Sequence, residues 1–139
     1  MKITVAKTAG FCFGVNRAVE IVNSLADKKT NVCTLGPIIH NKEMVTELEQ
    51  KGVYSIDDLA QAEKFDTVVI RSHGVAKSVY DELAAIGAEI CDATCPFVKK
   101  IHRIVEKESN QESQIVIIGN DVHPEVEGIK GWCKTPAIV

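Results

Sequence analysis

The sequence predicts an α/β fold with a mostly parallel sheet, because short apolar runs alternate with helical patterns along the chain. The runs 67–71 and 115–119 contain three and four apolar residues at consecutive positions, which is typical of strands buried on both faces. The segments predicted as strands are 2–6, 31–35, 67–71, 88–91 and 115–119. The segments predicted as helices are 15–26, 42–51, 56–63, 76–86, 96–109 and 124–131.

The composition limits the classes of function. The chain has 139 residues, of which 45% are hydrophobic, and its formal net charge is −3. This charge gives no general reason to bind nucleic acid or an anionic membrane. No run approaches the roughly 20 apolar residues that span a bilayer. The N-terminal run is too short for a signal peptide and is interrupted by Lys7, so we predict a soluble, cytoplasmic protein.

The order of the patterns predicts two α/β units. We expect a first unit over 1–96 and the beginning of a second over 97–139, because the predicted strands and helices divide near residue 95. The second unit contains only about one strand–helix–strand. The sequence stops at TPAIV, within what reads as a strand, and this predicts a fragment.

The loop after each predicted strand carries a cysteine or a histidine. Ligands of open parallel sheets bind beyond the carboxyl ends of the strands, so these loops are expected to face one site. The loops contain GFCFG at 10–14, GPIIHN at 36–41, SHG at 72–74, DATCP at 92–96 and NDVHPE at 120–125.

The five cysteines do not predict a disulfide framework, since their number is odd and no secretion signal precedes them. Cys12 and Cys95 each lie just before a helix, where the dipole favours a thiolate that can bind a soft metal or an iron–sulfur cluster. On spacing alone, two buried thiols are the more frequent explanation. Cys33 and Cys91 are predicted core residues, and the role of Cys133 is open.

Three of the four histidines lie in glycine- or proline-containing loops at strand ends. His40, His73 and His123 are therefore expected to share one ligand, and imidazoles suit a phosphate or diphosphate. The fourth, His102, is predicted to be a surface or packing residue. Glu125 is expected to have a raised pKa and to donate a proton, or else to favour the helix dipole from the first turn.

The loop sequences occur together in one known family. GFCFGV at 10–15, IIHN at 38–41, SHGV at 72–75, DATCP at 92–96 and HPEVEG at 123–128 closely resemble LytB-type 4-hydroxy-3-methylbut-2-enyl diphosphate reductases of the non-mevalonate isoprenoid pathway. The resemblance implies three α/β lobes around a central cluster. This sequence would supply the first lobe and part of the second, and residues 1–13 would pack with the third.

The resemblance also implies residue roles and partners. Cys12 and Cys95 match two of three cysteine ligands of a [4Fe–4S] cluster, and the third would lie beyond this sequence. His40, His73 and His123 match the residues around the substrate, and Glu125 matches the proton-delivering acid. The implied reaction converts (E)-4-hydroxy-3-methylbut-2-enyl diphosphate into isopentenyl and dimethylallyl diphosphate with electrons from a ferredoxin or flavodoxin. We expect the fragment alone to be inactive.

Two alternatives stay open at the level of sequence. One is a zinc-binding α/β module that uses the two loop cysteines with histidines, since zinc takes about four nitrogen or sulfur ligands. The other is an α/β domain that binds phosphate passively and keeps its thiols in the core.

Overall fold

The computed structural model describes residues 1–28 and 31–139, and its centre is a parallel sheet of four strands in the order β2-β1-β3-β4. All three pairings are parallel. The carboxyl ends of the strands therefore meet at one edge, which we call the carboxyl edge. The strands are β1 Val32–Leu35, β2 Val53–Ile56, β3 Thr67–Ile70 and β4 Glu89–Asp92.

Helices connect and follow the strands. The five α-helices are α1 Phe13–Ala26, α2 Lys42–Gln50, α3 Lys77–Ile86, α4 Pro96–Glu108 and α5 Pro124–Lys130, and a 3-10 helix spans Leu59–Lys64. Five of the six predicted helices are confirmed to within about two residues at each end, which is the usual uncertainty of helix boundaries. The sixth, predicted over 56–63, is the 3-10 helix and begins three residues later. The prediction of an α/β fold with a parallel sheet is also confirmed.

Each face of the sheet carries its own hydrophobic core. Side chains alternate along a strand, so Val32 of β1 and Val69 of β3 face Ala18 and Val22 of α1. The opposite face packs against α3, whose Leu83 is fully buried. Burial on both faces explains why β1 and β3 are apolar at nearly every position.

The predicted strand at 2–6 is wrong. These residues form no strand and are exposed, with Ile3 and Val5 each 76% accessible. Their alternating pattern has β-propensity, but such propensity acts through packing against neighbouring strands. In the described part of the chain, this segment has no strand beside it.

The predicted strand at 115–119 is also wrong. The segment makes only an isolated parallel bridge between Val116 and Ile138. The Ile117 N–H donates to the Ile138 carbonyl over 2.7 Å, yet Ile118 is fully exposed. An apolar run needs covered faces to become a buried strand, and the described residues do not cover this one.

The strand β2 was not predicted from the sequence. The helix predicted over 56–63 begins too early, because Ile56 lies in β2. The helix cap is instead Asp58, whose carboxylate accepts from the Ala60 N–H over 2.9 Å. Only Val53 and Ile56 of this four-residue strand are buried, which is too short a pattern for a periodicity argument.

The described residues include no helix that is both long enough and apolar enough to cross a membrane. All four strands lie before residue 96, but the division into 1–96 and 97–139 stays a prediction.

Candidate functional site at the carboxyl edge

Three imidazoles lie together at the carboxyl edge. His40 follows β1 and His73 follows β3, and their ring centroids are 5.3 Å apart. His123 precedes α5, and its ring meets that of His73 edge-on at 5.9 Å. We call these three residues the histidine cluster. The three loops were expected to face one site, and the structure brings their histidines together.

His73 is the central and most enclosed member of the cluster. Burial lowers its pKa to about 4, and the positive charges of Arg71, His40 and His123 act in the same direction. Its Nδ1 is buried and has no hydrogen-bond partner. A buried imidazole nitrogen without a hydrogen-bond partner is costly in free energy, which distinguishes His73 from the two exposed rings of the cluster.

We expect the free energy of unfolding to fall as pH decreases from about 6.5 to about 4. In this range the unfolded chain protonates His73 near its ordinary pKa of 6.5, while the folded chain leaves it neutral. The stability is therefore complete above pH 6.5 and is lost as pH falls through the window. Denaturant unfolding at several pH values should show a shallower decline for His73→Gln, and an identical decline would contradict this assignment.

His123 and Glu125 begin the helix α5. The Nδ1 atom of His123 accepts a hydrogen bond from the backbone N–H of Glu125 over 3.2 Å, which caps the helix. Because Nδ1 accepts this bond, the neutral ring carries its proton on Nε2, which is then a donor. The carboxyl group of Glu125 is half-buried in the first turn of the same helix.

The loop that carries Cys95 is fixed by Asp92 at the end of β4. One oxygen of Asp92 accepts from the Thr94 N–H over 2.9 Å, and the other binds Lys99 over 2.6 Å and the Tyr80 hydroxyl over 3.0 Å. Burial raises the pKa of Asp92, but the bonds from Lys99 and Thr94 outweigh it and lower the pKa. The backbone N–H of Cys95 donates to the Ser72 carbonyl over 2.9 Å, so this loop adjoins His73.

The start of α1 lies against the thiol of Cys95. A Cβ atom built on Gly14 would be only 2.6 Å from the Cys95 Sγ atom. Arg17 of the same helix donates to the carbonyls of Ala93 and Thr94 over 3.4 and 3.3 Å. Cys12 caps α1 two residues before Gly14 and is exposed. The two cysteine-capped helix ends are therefore neighbours.

The two cysteine sulfur atoms of this region are of the chemical type that binds a soft metal or an iron–sulfur cluster. Cys12 and Cys95 cap α1 and α4, and neither cap uses a side-chain hydrogen bond. Both sulfur atoms are therefore soft donors beside helix N-termini. Within residues 1–28 and 31–139, no three histidine, cysteine, aspartate or glutamate side chains are arranged to hold a metal by themselves. The two thiols thus suit a group that takes further ligands from elsewhere.

The other cysteines lie away from these helix ends. Cys33 is fully buried in β1, where burial raises its pKa to about 12, which confirms the prediction of a core residue. Cys91 is half-buried inside β4. The Cys133 thiol donates to the Ile129 carbonyl over 3.6 Å, and burial raises its pKa.

Several residues around the site were not identified from the sequence. Arg17 was missed, although a charged residue beside the apolar stripe of α1 is a signal for an inward contact. Arg71 was also missed; it directly precedes the SHG loop, and its guanidinium group would be 2.4 Å from a Cβ atom on Gly36. His102 was expected to be a surface or packing residue, and it is buried against Trp132.

The fold and the site together define an α/β protein that presents imidazoles and helix-capping thiols at one end of a parallel sheet. The LytB protein family matches residues 3–139, and the chain belongs to this family. The chain is 48% identical over 143 residues to the 4-hydroxy-3-methylbut-2-enyl diphosphate reductase of Caldanaerobacter subterraneus subsp. tengcongensis. That alignment covers 100% of this chain and 50% of the relative.

Solved structures show the same likeness. One is described as (E)-4-hydroxy-3-methyl-but-2-enyl diphosphate reductase, the terminal enzyme of the non-mevalonate pathway; it has a TM-score of 0.82 and 39% identity over 98% of this chain and 50% of that one. The reductase from Plasmodium falciparum has a TM-score of 0.83 and 29% identity over 91% of this chain and 40% of that one. The chain therefore spans about half the length of the relatives it matches.

Proposed function

We propose that this chain supplies the histidine cluster and two cluster-binding cysteines of a 4-hydroxy-3-methylbut-2-enyl diphosphate reductase. The reaction consumes two electrons and two protons, breaks the allylic C–O bond, releases water and forms a C–H bond. The products would be isopentenyl and dimethylallyl diphosphate. The observation that carries this proposal is the meeting of His40, His73 and His123 beside the Cys95 loop in a member of the LytB family.

The histidine cluster is the proposed binding site of the substrate's diphosphate and hydroxyl groups. His73 is the central ring of the cluster, with the rings of His40 and His123 at 5.3 and 5.9 Å, so one ligand can contact all three imidazoles. The Nε2–H of His123 is a further donor, because its Nδ1 is occupied by the helix cap. Enclosed donors of fixed orientation bind an anionic oxygen more strongly than donors in water, and they hold the alcohol in one position.

Cys12 and Cys95 would hold a [4Fe–4S] cluster, with a third cysteine supplied from outside this sequence. When bound, this cluster supplies electrons and a Lewis-acidic iron. Gly14 contacts Cys95, and Arg17 donates hydrogen bonds to the carbonyls of residues 93 and 94. These contacts hold the start of α1 beside the Cys95 loop and support the proposal that both thiols bind the same cluster. We propose a ferredoxin or flavodoxin as electron donor, and a cytoplasmic location stays a prediction.

Glu125 is the proposed proton donor. It follows His123 by two residues at the start of α5, so its carboxyl group and the imidazole are carried by the same rigid turn. A carboxylic acid there can protonate the departing hydroxyl group, which leaves as water.

Exposed apolar side chains in the first thirteen residues support a further part of the proposal. Ile3, Val5 and Phe13 are 76%, 76% and 63% exposed. Side chains of this kind commonly mark an interaction surface. We propose that residues 1–13 pack against the lobe that corresponds to the remaining half of the relatives.

The Glu125→Gln variant tests the catalytic proposal. In the full-length gene product, reconstituted anaerobically with iron and sulfide, we expect kcat to fall by roughly 10²-fold or more, as for loss of a general acid. KM should change less, because the amide keeps the shape of the side chain. Formation of the two product diphosphates is measured under a chemical reductant.

The matched control is Glu127→Gln, which makes the same chemical change two residues further along α5. This residue is exposed and lies towards Arg71, and its variant should keep most of the activity. Full turnover by Glu125→Gln would contradict the proton-donor role. One tightly bound zinc without acid-labile sulfide would instead favour the zinc-binding module, and phosphate binding without either would favour the passive domain.

A further inference from the structure

A buried imidazole and a half-buried indole lie beside the loop that carries His73. The imidazole of His102 stacks on the indole of Trp132, with ring centroids 5.1 Å apart and planes inclined by 16°. Tyr80 closes the group edge-on, 5.8 Å from Trp132. His102 is only 2% exposed, and burial lowers its pKa to about 4, so the stacked ring is neutral at pH 7.

His102 supports the turn that follows His73. A Cβ atom on Gly74 would be 2.6 Å from the His102 Cε1 atom, so the imidazole lies against the backbone of this glycine. Gly74 also has φ +72°, a conformation that favours glycine. His102 belongs to α4, the helix capped by Cys95, and therefore connects that helix to the loop of His73.

Trp132 connects the same loop to α5. Its indole N–H donates to the Val75 carbonyl over 2.9 Å, and the Lys77 N–H donates to the Gly131 carbonyl over 3.3 Å. Gly128 of α5 lies against the backbone of Gly74 and Val75, since a Cβ atom there would be 3.6 Å from both. The C-terminal half of α5, the helix that His123 caps, is thus held against the loop that follows His73.

We propose that His102 and Trp132 form a positioning pair that sets the separation of His73 and His123. His102 lies on α4, which Cys95 caps, and Trp132 follows α5, which His123 caps. Both rings contact the loop after His73. Neither ring belongs to the histidine cluster, so both act through the backbone they support. The expected effect on ligand binding rests on the proposed function, whereas the expected effect on the distance between His73 and His123 does not.

The Trp132→Phe variant separates positioning from simple packing. Phenylalanine keeps a ring for His102 to stack on but cannot donate to the Val75 carbonyl. In the full-length gene product, we expect the nuclear Overhauser effect between the ring protons of His73 and His123 to weaken strongly. Affinity for inorganic diphosphate, measured by calorimetry, should fall by about tenfold, which corresponds to about 1.4 kcal/mol. Trp132→Leu, which also removes the stack, should have a larger effect on both.

The control is Val53→Ala, which truncates a buried side chain at the start of β2, at the opposite end of the strands. It should lower the melting temperature but leave the Overhauser effect and the diphosphate affinity unchanged. The proposal is overturned if Trp132→Phe keeps both at their original values. If the unaltered protein does not bind diphosphate, the proposed function fails, and the Overhauser effect alone then decides the positioning role.

Discussion

Replacing Gly14 with alanine is expected to remove most of the iron that the full-length gene product retains after anaerobic reconstitution. Alanine within a helix is normally more stable than glycine by about 0.5–1 kcal/mol. At this position, however, the new Cβ atom would be 2.6 Å from the Sγ and 2.9 Å from the Cβ of Cys95. Either α1 or the Cys95 thiol must move, so the thiols of Cys12 and Cys95 no longer lie where both can bind one cluster.

Gly128→Ala is the matched control for this substitution. Gly128 also lies in a helix, but a Cβ atom there would be 3.6 Å from its nearest neighbour, which is ordinary van der Waals contact. Iron and acid-labile sulfide should stay at the level of the unaltered protein. Equal iron content in Gly14→Ala would show that the approach of α1 to Cys95 is not required for the metal site.

Replacing Gly74 with alanine is expected to destabilise the protein by about 2–5 kcal/mol and to disturb His73. The residue has φ +72°, which costs about 1–2 kcal/mol for an alanine. Its Cβ atom would also be 2.6 Å from His102 and 2.9 Å from the Thr94 side chain. Forcing buried neighbours apart in this way adds about 1–3 kcal/mol. Denaturant unfolding measures the total.

The Gly87→Ala variant separates the cost of the positive φ from the cost of crowding buried neighbours. Gly87 ends α3 with φ +81°, but a Cβ atom there would have no neighbour within 4 Å. The free energy of unfolding of this variant should therefore fall only by the backbone cost of about 1–2 kcal/mol. Equal losses in the Gly74 and Gly87 variants would show that the turn after His73 is not tightly packed on His102.

The parts of the fold that could be predicted are those whose burial leaves a local signal. β3 is apolar over 68–70 because both of its faces are covered, and this run is visible in the sequence. The helices could be predicted from apolar stripes and from capping residues such as Gly87.

The parts that failed depend on distant partners. The segments 2–6 and 115–119 have strand-like composition, but a strand also needs neighbours, which the described residues do not provide. The four-residue strand β2 was missed for the opposite reason: its local pattern is weak, but pairing with β1 makes it a strand.

The candidate site shows the same division. The convergence of His40 and His73 could be predicted, because loops after parallel strands meet at one edge of a sheet. His123 joins them although the strand predicted before it does not form. The contacts of Arg17 and Trp132 could not be predicted. Arg17 binds a carbonyl that is 76 positions away in the chain, and Trp132 binds one that is 57 positions away. Long-range side-chain contacts of this kind have no periodicity in the sequence.

The central claim is that Cys12 and Cys95 bind one iron–sulfur cluster, and counting iron and acid-labile sulfide in cysteine variants tests it most directly. After anaerobic reconstitution of the full-length gene product, Cys12→Ser and Cys95→Ser should each lose as much of both elements as the double variant. Cys133→Ser, a thiol away from the two helix ends, should keep them. Full retention in either single variant, or no acid-labile sulfide in the unaltered protein, would contradict the claim.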